Sequence, residues 1–236
     1  LLHVLSRFGE SCAVQSPSFG PGAVAEGWSS IARWQRLPSD CKTIGFEPYH
    51  LDWIASSQMA SHLVHGDANT SRLQAVPKDW NKARLITVEP SPKTFVQQLT
   101  RRSLLGALAG HPDPSIRKMG GIRDDRQRDH RQLALEGSRT GMLATLDLSD
   151  ASDRISTNQV YSVFPAEVCY WLELARSDHY MAYPKEFHPL HIFAGMGNAT
   201  TFVVETLLFW AMCHAVADYH RLGKRFVSVF GDDIIV

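Results

Sequence analysis

Hydrophobic positions along the chain follow two different periods, and each period predicts its own kind of element. Short apolar or β-branched runs bounded by Pro, Gly or Asp predict strands, whereas apolar residues spaced three and four apart predict helices. Predicted strands cover residues 85–88, 143–148 and 225–230, the last resuming at 234–236 after a turn. Predicted helices cover residues 31–37, 51–63, 95–108, 160–176 and 199–220. The strand at 143–148 is apolar enough to be expected in the core.

The segments between these elements carry turn, cap and loop signals. Residues 110–132 are charged and aperiodic, which predicts a loop. Residues 149–153 are rich in Ser and Asp, which cap helix N-termini, so a helix is expected to begin there. Asn198 is the expected N-cap of the helix at 199–220. The prolines within 181–193 predict a hairpin or a loop.

The segment 199–217 is nearly as apolar as a membrane span. It nevertheless contains Glu205, Thr206 and His214, and no basic clusters flank it. Since a membrane-spanning helix carries few or no charges, we expect a buried core helix and no membrane partner.

Composition is typical of a soluble globular protein. Of 236 residues, 44% are hydrophobic and 20% are charged, which argues against a disordered chain. The formal net charge is zero, but residues 72–139 carry 14 Lys and Arg against 7 Asp and Glu, whereas residues 140–236 carry 6 against 11. Such a division suits a protein that holds phosphates in one place and cations in another, although chance variation on solvated surfaces gives the same imbalance.

Cysteine and histidine form no disulfide or zinc pattern. The four cysteines are widely spread without a C-x-x-C pair, so we expect free thiols in a reducing compartment. His188 and His191 have no nearby Glu or Cys to complete a metal set, and we expect them at the surface or in packing. The sequence starts without Met or a signal peptide and stops inside an apolar run, so a fragment of a longer protein is expected.

The strongest local signal is Phe230-Gly231-Asp232-Asp233. Two adjacent carboxylates at the tip of an apolar hairpin repel each other, and desolvation adds to the cost. A divalent cation relieves both effects, because hard cations prefer carboxylate oxygens. Taken alone, the same residues also fit a plain solvent-exposed hairpin.

A second acidic signal lies at the end of the predicted strand 143–148. Asp147 leaves this strand, and Asp153 follows six residues later near the expected helix start. A carboxylate in this position is well placed to join the pair from a neighbouring hairpin. The alternative is that Asp150 or Asp153 only caps the helix. The spacing excludes a calcium-binding loop, which needs alternating acidic ligands and a central Gly.

Basic and glycine signals complete the set. Lys78, Lys82 and Arg84 precede and enter a strand, where they would bind a triphosphate near a carboxylate–metal site; charge that protects a strand edge is the alternative. Gly197-Asn198 opens a long helix, whose free N–H groups favour anions and polar ligands; capping alone is the alternative there.

The order of these four features is more specific than any one of them. A basic strand, a strand-Asp-helix unit, a Gly-Asn helix start and a Gly-Asp-Asp hairpin follow one another as in palm-type RNA polymerases. The chain resembles the replicase subunit of the small positive-strand RNA bacteriophages, the leviviruses. The residues that carry the resemblance are Val76-Pro77-Lys78, Arg84, Glu89-Pro90, residues 144–149, Ala151-Ser152-Asp153, Ile155-Ser156, Met196-Gly197-Asn198, Thr201-Phe202, Glu205 and residues 230–236.

The resemblance implies an α+β fold: a palm-type, right-hand polymerase core with an antiparallel sheet backed by helices and a mainly helical fingers region. Residues 1–140 would be fingers, including the basic nucleotide-binding motif. Residues 141–236 would be palm with an inserted fingers segment near 157–192. The last palm motifs and the thumb would be missing, so the fragment alone is expected to be inactive.

The implied activity is template-directed RNA synthesis for viral genome replication by two-metal nucleotidyl transfer. Asp147, Asp232 and Asp233 would be catalytic and would hold two Mg²⁺ ions, which Mn²⁺ can replace. The implied nucleotide-binding residues are Lys78, Lys82 and Arg84 on the triphosphate, Asp153 and Asn198 on the ribose, and Gly197, Thr201 and Glu205 beside them. Implied partners are RNA template and product, ribonucleoside triphosphates and host translation factors, in the cytoplasm of the bacterial host.

The chain departs from the family pattern at two places, and other functions remain open. Phe230 stands where Tyr is common, and Asn81 stands where the family can have a basic residue, which leaves the triphosphate contacts open. A reverse transcriptase shares the palm and the paired Asp, but it needs a bulky residue near the ribose where this chain offers Asp153. A non-catalytic RNA-binding or assembly protein with a palm fold should have lost a metal ligand, and a metal-dependent phosphohydrolase should show further His and Asp ligands.

Overall fold

The computed structural model describes most of the chain from residue 69 onward and part of the chain before residue 34. The described residues are 1, 3–13, 15, 18–27, 29, 31–33, 69–119, 124–183, 185–222 and 227–236. The predicted helix at 31–37 is helical at 31–33. The rest of that helix, the predicted helix at 51–63 and Cys41 lie outside the described residues.

Helices and strands alternate in blocks along the described residues. The helices are α1 (Phe8–Ala13), α2 (Ser91–Ala109), α3 (Pro114–Met119), α4 (Asp124–Thr140), α5 (Thr157–Val163), α6 (Ala166–Ala175) and α7 (Thr201–Tyr219), with a 3₁₀ turn at Ser152–Arg154. The strands are β1 (Thr70–Pro77), β2 (Ala83–Val88), β3 (Thr145–Leu146), β4 (His179–Ala182), β5 (Glu186–Pro189), β6 (Ser228–Phe230) and β7 (Asp233–Ile235).

The described strands form two sheets. The first has the order β2-β1-β4-β5, in which β1 and β4 run parallel and the other neighbours run antiparallel. The second has the order β3-β7-β6 and is antiparallel throughout. The mixture of helices and sheets confirms the α+β class, and the hairpins expected at 181–193 and around Gly231 are both present.

Helix α2 forms the centre of the core. Pro92 lies in its first turn, where a missing N–H costs nothing. The carboxylate of Glu26 accepts hydrogen bonds from the backbone N–H of Ser91 at 3.0 and 3.1 Å. The apolar stripe predicted at 95–108 is buried and packs against α1 and α6. Among the described core residues, Phe95, Val96, Leu99 and Leu104 have no exposed surface at all.

Helix α7 is a core helix over its first half. Among the described helices, α7 has the length and apolar composition of a membrane span, with about half of its most apolar stretch buried. The side chains from Thr201 to Phe209 are buried apart from a partly buried Phe202, whereas Met212, Val216 and Tyr219 are exposed. The predicted core helix is therefore confirmed for the half that adjoins the second sheet.

The loop predicted at 110–132 is wrong. Residues 114–119 and 124–140 are helices α3 and α4 instead. Helix α4 is very polar on average, and the part of it that lies within 110–132 contains no apolar residue. No spacing of apolar residues could therefore predict a helix in that segment.

Three local predictions near the site need correction. The strand expected at 143–148 is only the two residues of β3, and it is exposed instead of buried. No α-helix begins at 149–153, since Asp150 takes a positive φ of 54° and the helix starts at Thr157, with Ser156 and Gln159 forming a capping box. Asn198 is not the N-cap of α7; that position is Thr200.

Strand β1 was not predicted. Its burial alternates irregularly along Thr70–Pro77, so neither period stands out in the sequence. Because β1 pairs with β2, the basic residues occupy a hairpin: Lys78 and Lys82 lie in its turn and Arg84 lies in β2.

Candidate active site

The Gly-Asp-Asp hairpin and the strand that carries Asp147 are neighbours in the second sheet. β3 pairs with β7 through Thr145 with Ile235 and Leu146 with Ile234. The next position in this register sets Asp147 opposite Asp233, and directly opposed residues of antiparallel strands have Cα atoms about 4.5–5.5 Å apart. Asp147, Asp232 and Asp233 are all exposed. Two carboxylates that are 86 positions apart in the sequence therefore meet at one end of the sheet.

Electrostatics agrees with this placement. Burial raises the pKa of Asp233, and the negative charges of Asp232 and Asp147 raise it further. Like charges disfavour each other's ionised form only when they lie close together. The structure therefore brings the three predicted metal ligands into one region of negative potential.

Two further carboxylates extend this region. Glu205 of α7 is only 6% exposed; its burial, followed by the charges of Asp232 and Asp153, raises its pKa to about 7. Asp153 is exposed, and desolvation followed by the charge of Asp150 raises its pKa. We call these five side chains the acidic cluster: Asp147, Asp153, Glu205, Asp232 and Asp233.

The hairpin turn is fastened to α7. The hydroxyl of Thr206 accepts a hydrogen bond from the backbone N–H of Gly231 at 2.9 Å and donates one to the carbonyl of Phe202 at 2.8 Å. The rings of Phe202 and Phe230 pack edge to face, 4.8 Å apart. Thr206 had been noted only as a polar residue within an apolar segment, since nothing in the sequence relates it to a turn 25 residues further on.

Gly231 is required by this packing. Its φ is +64°, and a Cβ at this position would lie 2.4 Å from the Phe202 ring.

We expect Gly231→Ala to lower the free energy of unfolding by about 2–4 kcal/mol, the sum of a left-handed backbone cost and overpacking. Urea denaturation measures this. Gly141→Ala is the matched control, since Gly141 has a φ of +67° and nothing within 4 Å of its Cβ position. Equal losses in the two variants would contradict the role of the Phe202 contact.

A buried polar network lies beside the Gly-Asn loop. Glu89 is 2% exposed, and its carboxylate accepts hydrogen bonds from the hydroxyl of Ser177 at 2.6 Å and from the Asn198 amide at 3.5 Å. Burial raises the pKa of Glu89, against the opposing effects of Ser177 and the positive charge of Lys93. Lys93 is 1% exposed, and its burial lowers its pKa to about 8 against the opposing charge of Glu89. Neither Lys93 nor Ser177 was among the site residues predicted from the sequence.

Asn198 is a member of this network. Its amide N–H also donates to the carbonyl of Ala175 at 3.1 Å, and its side-chain oxygen accepts from the backbone N–H and the hydroxyl of Thr200 at 2.9 and 2.8 Å. Both polar atoms of this buried side chain thus have protein partners. The ribose contact expected of Asn198 stays a prediction, and it would require exchange of one of these partners.

The loop before α7 packs directly on β2. Gly197 has a φ of +111°, and a Cβ there would lie 2.3 Å from the carbonyl oxygen of Thr87. The backbone N–H of Thr87 donates to the carbonyl of Met196 at 2.7 Å, and the hydroxyl of Thr201 donates to the carbonyl of Gly195 at 3.1 Å. Gly197 itself is exposed, so the loop presents its backbone to solvent while the network holds it from behind.

The predicted triphosphate residues lie further away. Arg84 is three residues along β2 from Thr87, and Lys82 is five residues from it, or about 10 and 16 Å at the rise of a strand. Between described residues, none of the ion pairs joins these cations to the acidic cluster. The structure brings the acidic residues together but leaves the predicted basic residues on an exposed hairpin.

In the part of the chain that the structure describes, no three His, Cys, Asp or Glu side chains are grouped so that they could hold a metal ion as they stand. The members of the acidic cluster are near enough to affect one another's protonation, but they are not arranged as a ligand set. Because four of them are exposed Asp side chains, rotation about their side-chain bonds can change which oxygens face one another.

Comparison with known proteins gives a consistent match. The family model described as "RNA replicase, beta-chain" matches residues 44–236. The RNA-directed RNA polymerase beta chain of Enterobacteria phage fr is 40% identical over 164 residues, which is 68% of this chain and 27% of that protein. The corresponding chain of Escherichia phage MS2 is 40% identical over 160 residues, again 68% and 27%. The beta subunit of Escherichia virus Qbeta is 29% identical over 209 residues, 85% of this chain and 32% of that protein.

The chain therefore spans about a quarter to a third of the length of the relatives it matches. The matched family segment contains β1 and everything after it, so it includes the acidic cluster, the Gly-Asn loop and the buried network.

Proposed function

The chain belongs to the RNA replicase beta-chain family, and from this premise we propose that it forms the catalytic part of an enzyme that synthesises RNA on an RNA template. The proposal is supported above all by the second sheet, where Asp147 and Asp233 adjoin the pair of Leu146 with Ile234 and the charge of Asp147 raises the pKa of Asp233. The relatives are named RNA-directed RNA polymerases.

We also propose that the fold is a palm with a fingers region. The antiparallel sheet β3-β7-β6, with α7 beside it, would be the palm. The hairpin β4–β5 lies within 157–192 but pairs with β1 of the earlier part of the chain. This pairing supports the interpretation of 157–192 as a fingers segment inserted into the palm.

The donor chemistry of the acidic cluster fits Mg²⁺ or Mn²⁺. These ions take carboxylate oxygens as ligands. Burial and, after it, the charges of neighbouring carboxylates raise the pKa values of Glu205 and Asp233, and a bound cation would oppose both effects. Asp147, Asp232 and Asp233 are the residues that would hold them. When bound, such ions lower the pKa of an attacking hydroxyl and stabilise a leaving pyrophosphate.

The chain's own residues would position the reactants. Asp153 is an exposed member of the acidic cluster, and it can accept a hydrogen bond from a ribose 2′-hydroxyl. Glu205 adds negative charge beneath Asp232 from α7. Gly197 lets the loop lie against Thr87 while its own backbone stays exposed to a nucleotide or template, and Thr201 fixes that loop through Gly195. Arg84 lies nearest to Thr87, against which Gly197 packs, whereas Lys78 and Lys82 lie further along the exposed hairpin.

Ribose selection gives a test that separates this function from reverse transcription. In a replicase beta chain that contains this segment, Asp153→Ala is expected to reduce discrimination between ATP and dATP by roughly tenfold or more, the loss of one charge-assisted hydrogen bond. Single-nucleotide incorporation on an RNA primer-template measures it. Asp150→Asn is the control, because it removes the neighbouring carboxylate at a left-handed position that Asn tolerates. Unchanged selectivity in Asp153→Ala would remove this residue from the ribose site.

The partners follow from the proposed reaction. They are RNA template, RNA product and ribonucleoside triphosphates. Association with host translation factors and location in the bacterial cytoplasm are further proposals, supported by the phage origin of the relatives.

A further inference from the structure

The hairpin of β1 and β2 extends from the body of the protein as an arm. From residue 74 to residue 85 every side chain is exposed except that of Val76, which is partly buried. Trp80 lies at the tip and is 94% exposed. The tip is an ordered turn, because the backbone N–H of Lys78 donates to the carbonyl of Lys82 at 2.9 Å and that of Asn81 donates to the Asp79 carboxylate at 3.1 Å. The hydrogen-bonded turn thus holds the large indole ring of Trp80 in solvent.

A second exposed aromatic residue lies at the same end of the sheet. β1 and β4 are parallel neighbours, so the turn that follows β4 and the turn that follows β1 point in the same direction. Tyr183 follows β4 directly and is 97% exposed, and the backbone N–H of Lys185 closes its turn on Ala182 at 2.8 Å.

The separation of the two aromatic residues follows from the sheet register. Arg72 pairs with Met181, so Tyr183 leaves the sheet about level with Gln74. Trp80 lies beyond the end of β1 at Pro77, roughly 10–20 Å further at the rise of a strand. That interval corresponds to a few nucleotides of extended single strand.

The charges around these tips are predominantly positive. Four cations lie near the tips, against two carboxylates: Lys78, Lys82, Arg84 and Lys185, against Asp79 and Glu186. The Asp79 carboxylate is taken up by the backbone of Asn81, and Glu186 lies 3.5 Å from the ring of His188. Among the described residues, none of the four cations takes part in an ion pair.

We infer that Trp80 and Tyr183, with Lys78, Lys82 and Lys185, form a binding surface for single-stranded RNA; the inference rests on the proposed function, because it supplies that reaction's template. Exposed aromatic rings stack on unpaired bases of any sequence, and cations between them contact the phosphates. A duplex offers no free base faces, so this surface selects single strands.

The test is binding of a fluorescein-labelled oligouridylate of about twelve nucleotides to the 236-residue chain, followed by anisotropy in EDTA without nucleotide. Loss of one stacked base weakens binding by about five- to 150-fold. Trp80→Leu and Tyr183→Leu should therefore each lower the affinity for the oligonucleotide at least fivefold. Trp80→Tyr keeps an aromatic ring and should have an affinity within a factor of about two of wild type. The RNA should also quench the tryptophan fluorescence of the wild-type chain, and Trp80→Phe should remove most of that quenching.

Two controls make the result specific. Tyr219→Leu removes an aromatic residue that is 83% exposed at the end of α7, and it should bind as wild type does. A duplex of the same length should bind wild type and Trp80→Leu equally. Single-strand affinity unchanged in both Trp80→Leu and Tyr183→Leu would overturn the inference and leave the tips as a surface for a protein partner.

The outcome is independent of the proposed catalytic function. Asp129→Asn removes an exposed carboxylate on α4, away from both tips, and should bind the oligonucleotide as wild type does. If the aromatic substitutions do not weaken binding, the RNA-binding surface is contradicted, and the proposed catalytic role of the acidic cluster is unaffected. If Asp232→Asn retains RNA synthesis, the catalytic proposal is contradicted, and the proposed RNA-binding surface is unaffected.

Discussion

Asp232→Asn is expected to reduce RNA synthesis at least about a thousandfold in a replicase beta chain that contains this segment, since loss of a metal ligand removes several kcal/mol of charge stabilisation. Asn keeps the shape of the side chain but removes its charge. In the fold itself this substitution relieves repulsion, because the Asp232 charge raises the pKa values of Glu205 and Asp233. The free energy of unfolding should therefore stay unchanged or rise slightly, and incorporation of labelled UTP on a primed template measures the activity.

The matched control is Asp129→Asn, which removes an exposed carboxylate on α4. It should retain synthesis within about twofold, because exposed substitutions away from a site have little effect on fold or function. Synthesis by Asp232→Asn within tenfold of wild type would exclude this carboxylate from the catalytic site. A fall in activity accompanied by unfolding would be equally damaging, since it would make Asp232 a structural residue.

Lys93→Met is the second large effect, and it concerns stability. The substitution removes the positive charge that opposes the burial of the Glu89 carboxylate more strongly than that of Arg176 does. A buried charged group that loses a compensating neighbour costs about 1–3 kcal/mol, and we expect a loss of that size in the free energy of unfolding by urea at neutral pH. Lys78→Met, at an exposed position, should lose less than about 0.5 kcal/mol.

The pH dependence gives this prediction a sign. The folded-state pKa of Glu89 lies above its ordinary value of 4.5, and removal of Lys93 raises it further. Between 4.5 and that folded-state pKa the folded chain binds more protons than the unfolded chain, so stability falls as pH rises through this window. Lys93→Met should therefore regain stability as pH is lowered towards 4.5. The double variant Glu89→Gln, Lys93→Met should recover part of the loss at neutral pH, and a single variant that loses under 1 kcal/mol would contradict the network.

Local chemistry made the hairpin at Gly231 predictable. Gly-Asp between two apolar runs is a turn signal that needs no knowledge of the rest of the chain. The helix at 95–108 was predictable for the same reason, because an apolar stripe reports the face that a helix buries. The family resemblance, confirmed by the matched segment, placed the acidic residues in one site without giving their geometry.

The remaining features depend on contacts between distant parts of the chain. A two-residue strand such as β3 has no period, and its register with β7 is fixed by tertiary structure. Lys93 lies four residues after Glu89, a spacing that suggests an exposed helical ion pair, yet packing against α6 and the Asn198 loop buries both. Thr206 contacts Gly231 only because α7 passes behind the hairpin.

Convergence of Asp147 with the doublet at 232–233 can be examined by Mn²⁺ binding to the 236-residue chain, followed by electron paramagnetic resonance with Mg²⁺ as competitor. Wild type should bind Mn²⁺ saturably. Asp147→Asn and Asp232→Asn should each weaken that binding at least about tenfold, because each removes one carboxylate ligand of a shared site. Asp129→Asn should leave it unchanged. Mn²⁺ affinity that is the same in wild type and Asp147→Asn would show that the carboxylate of β3 takes no part in the site.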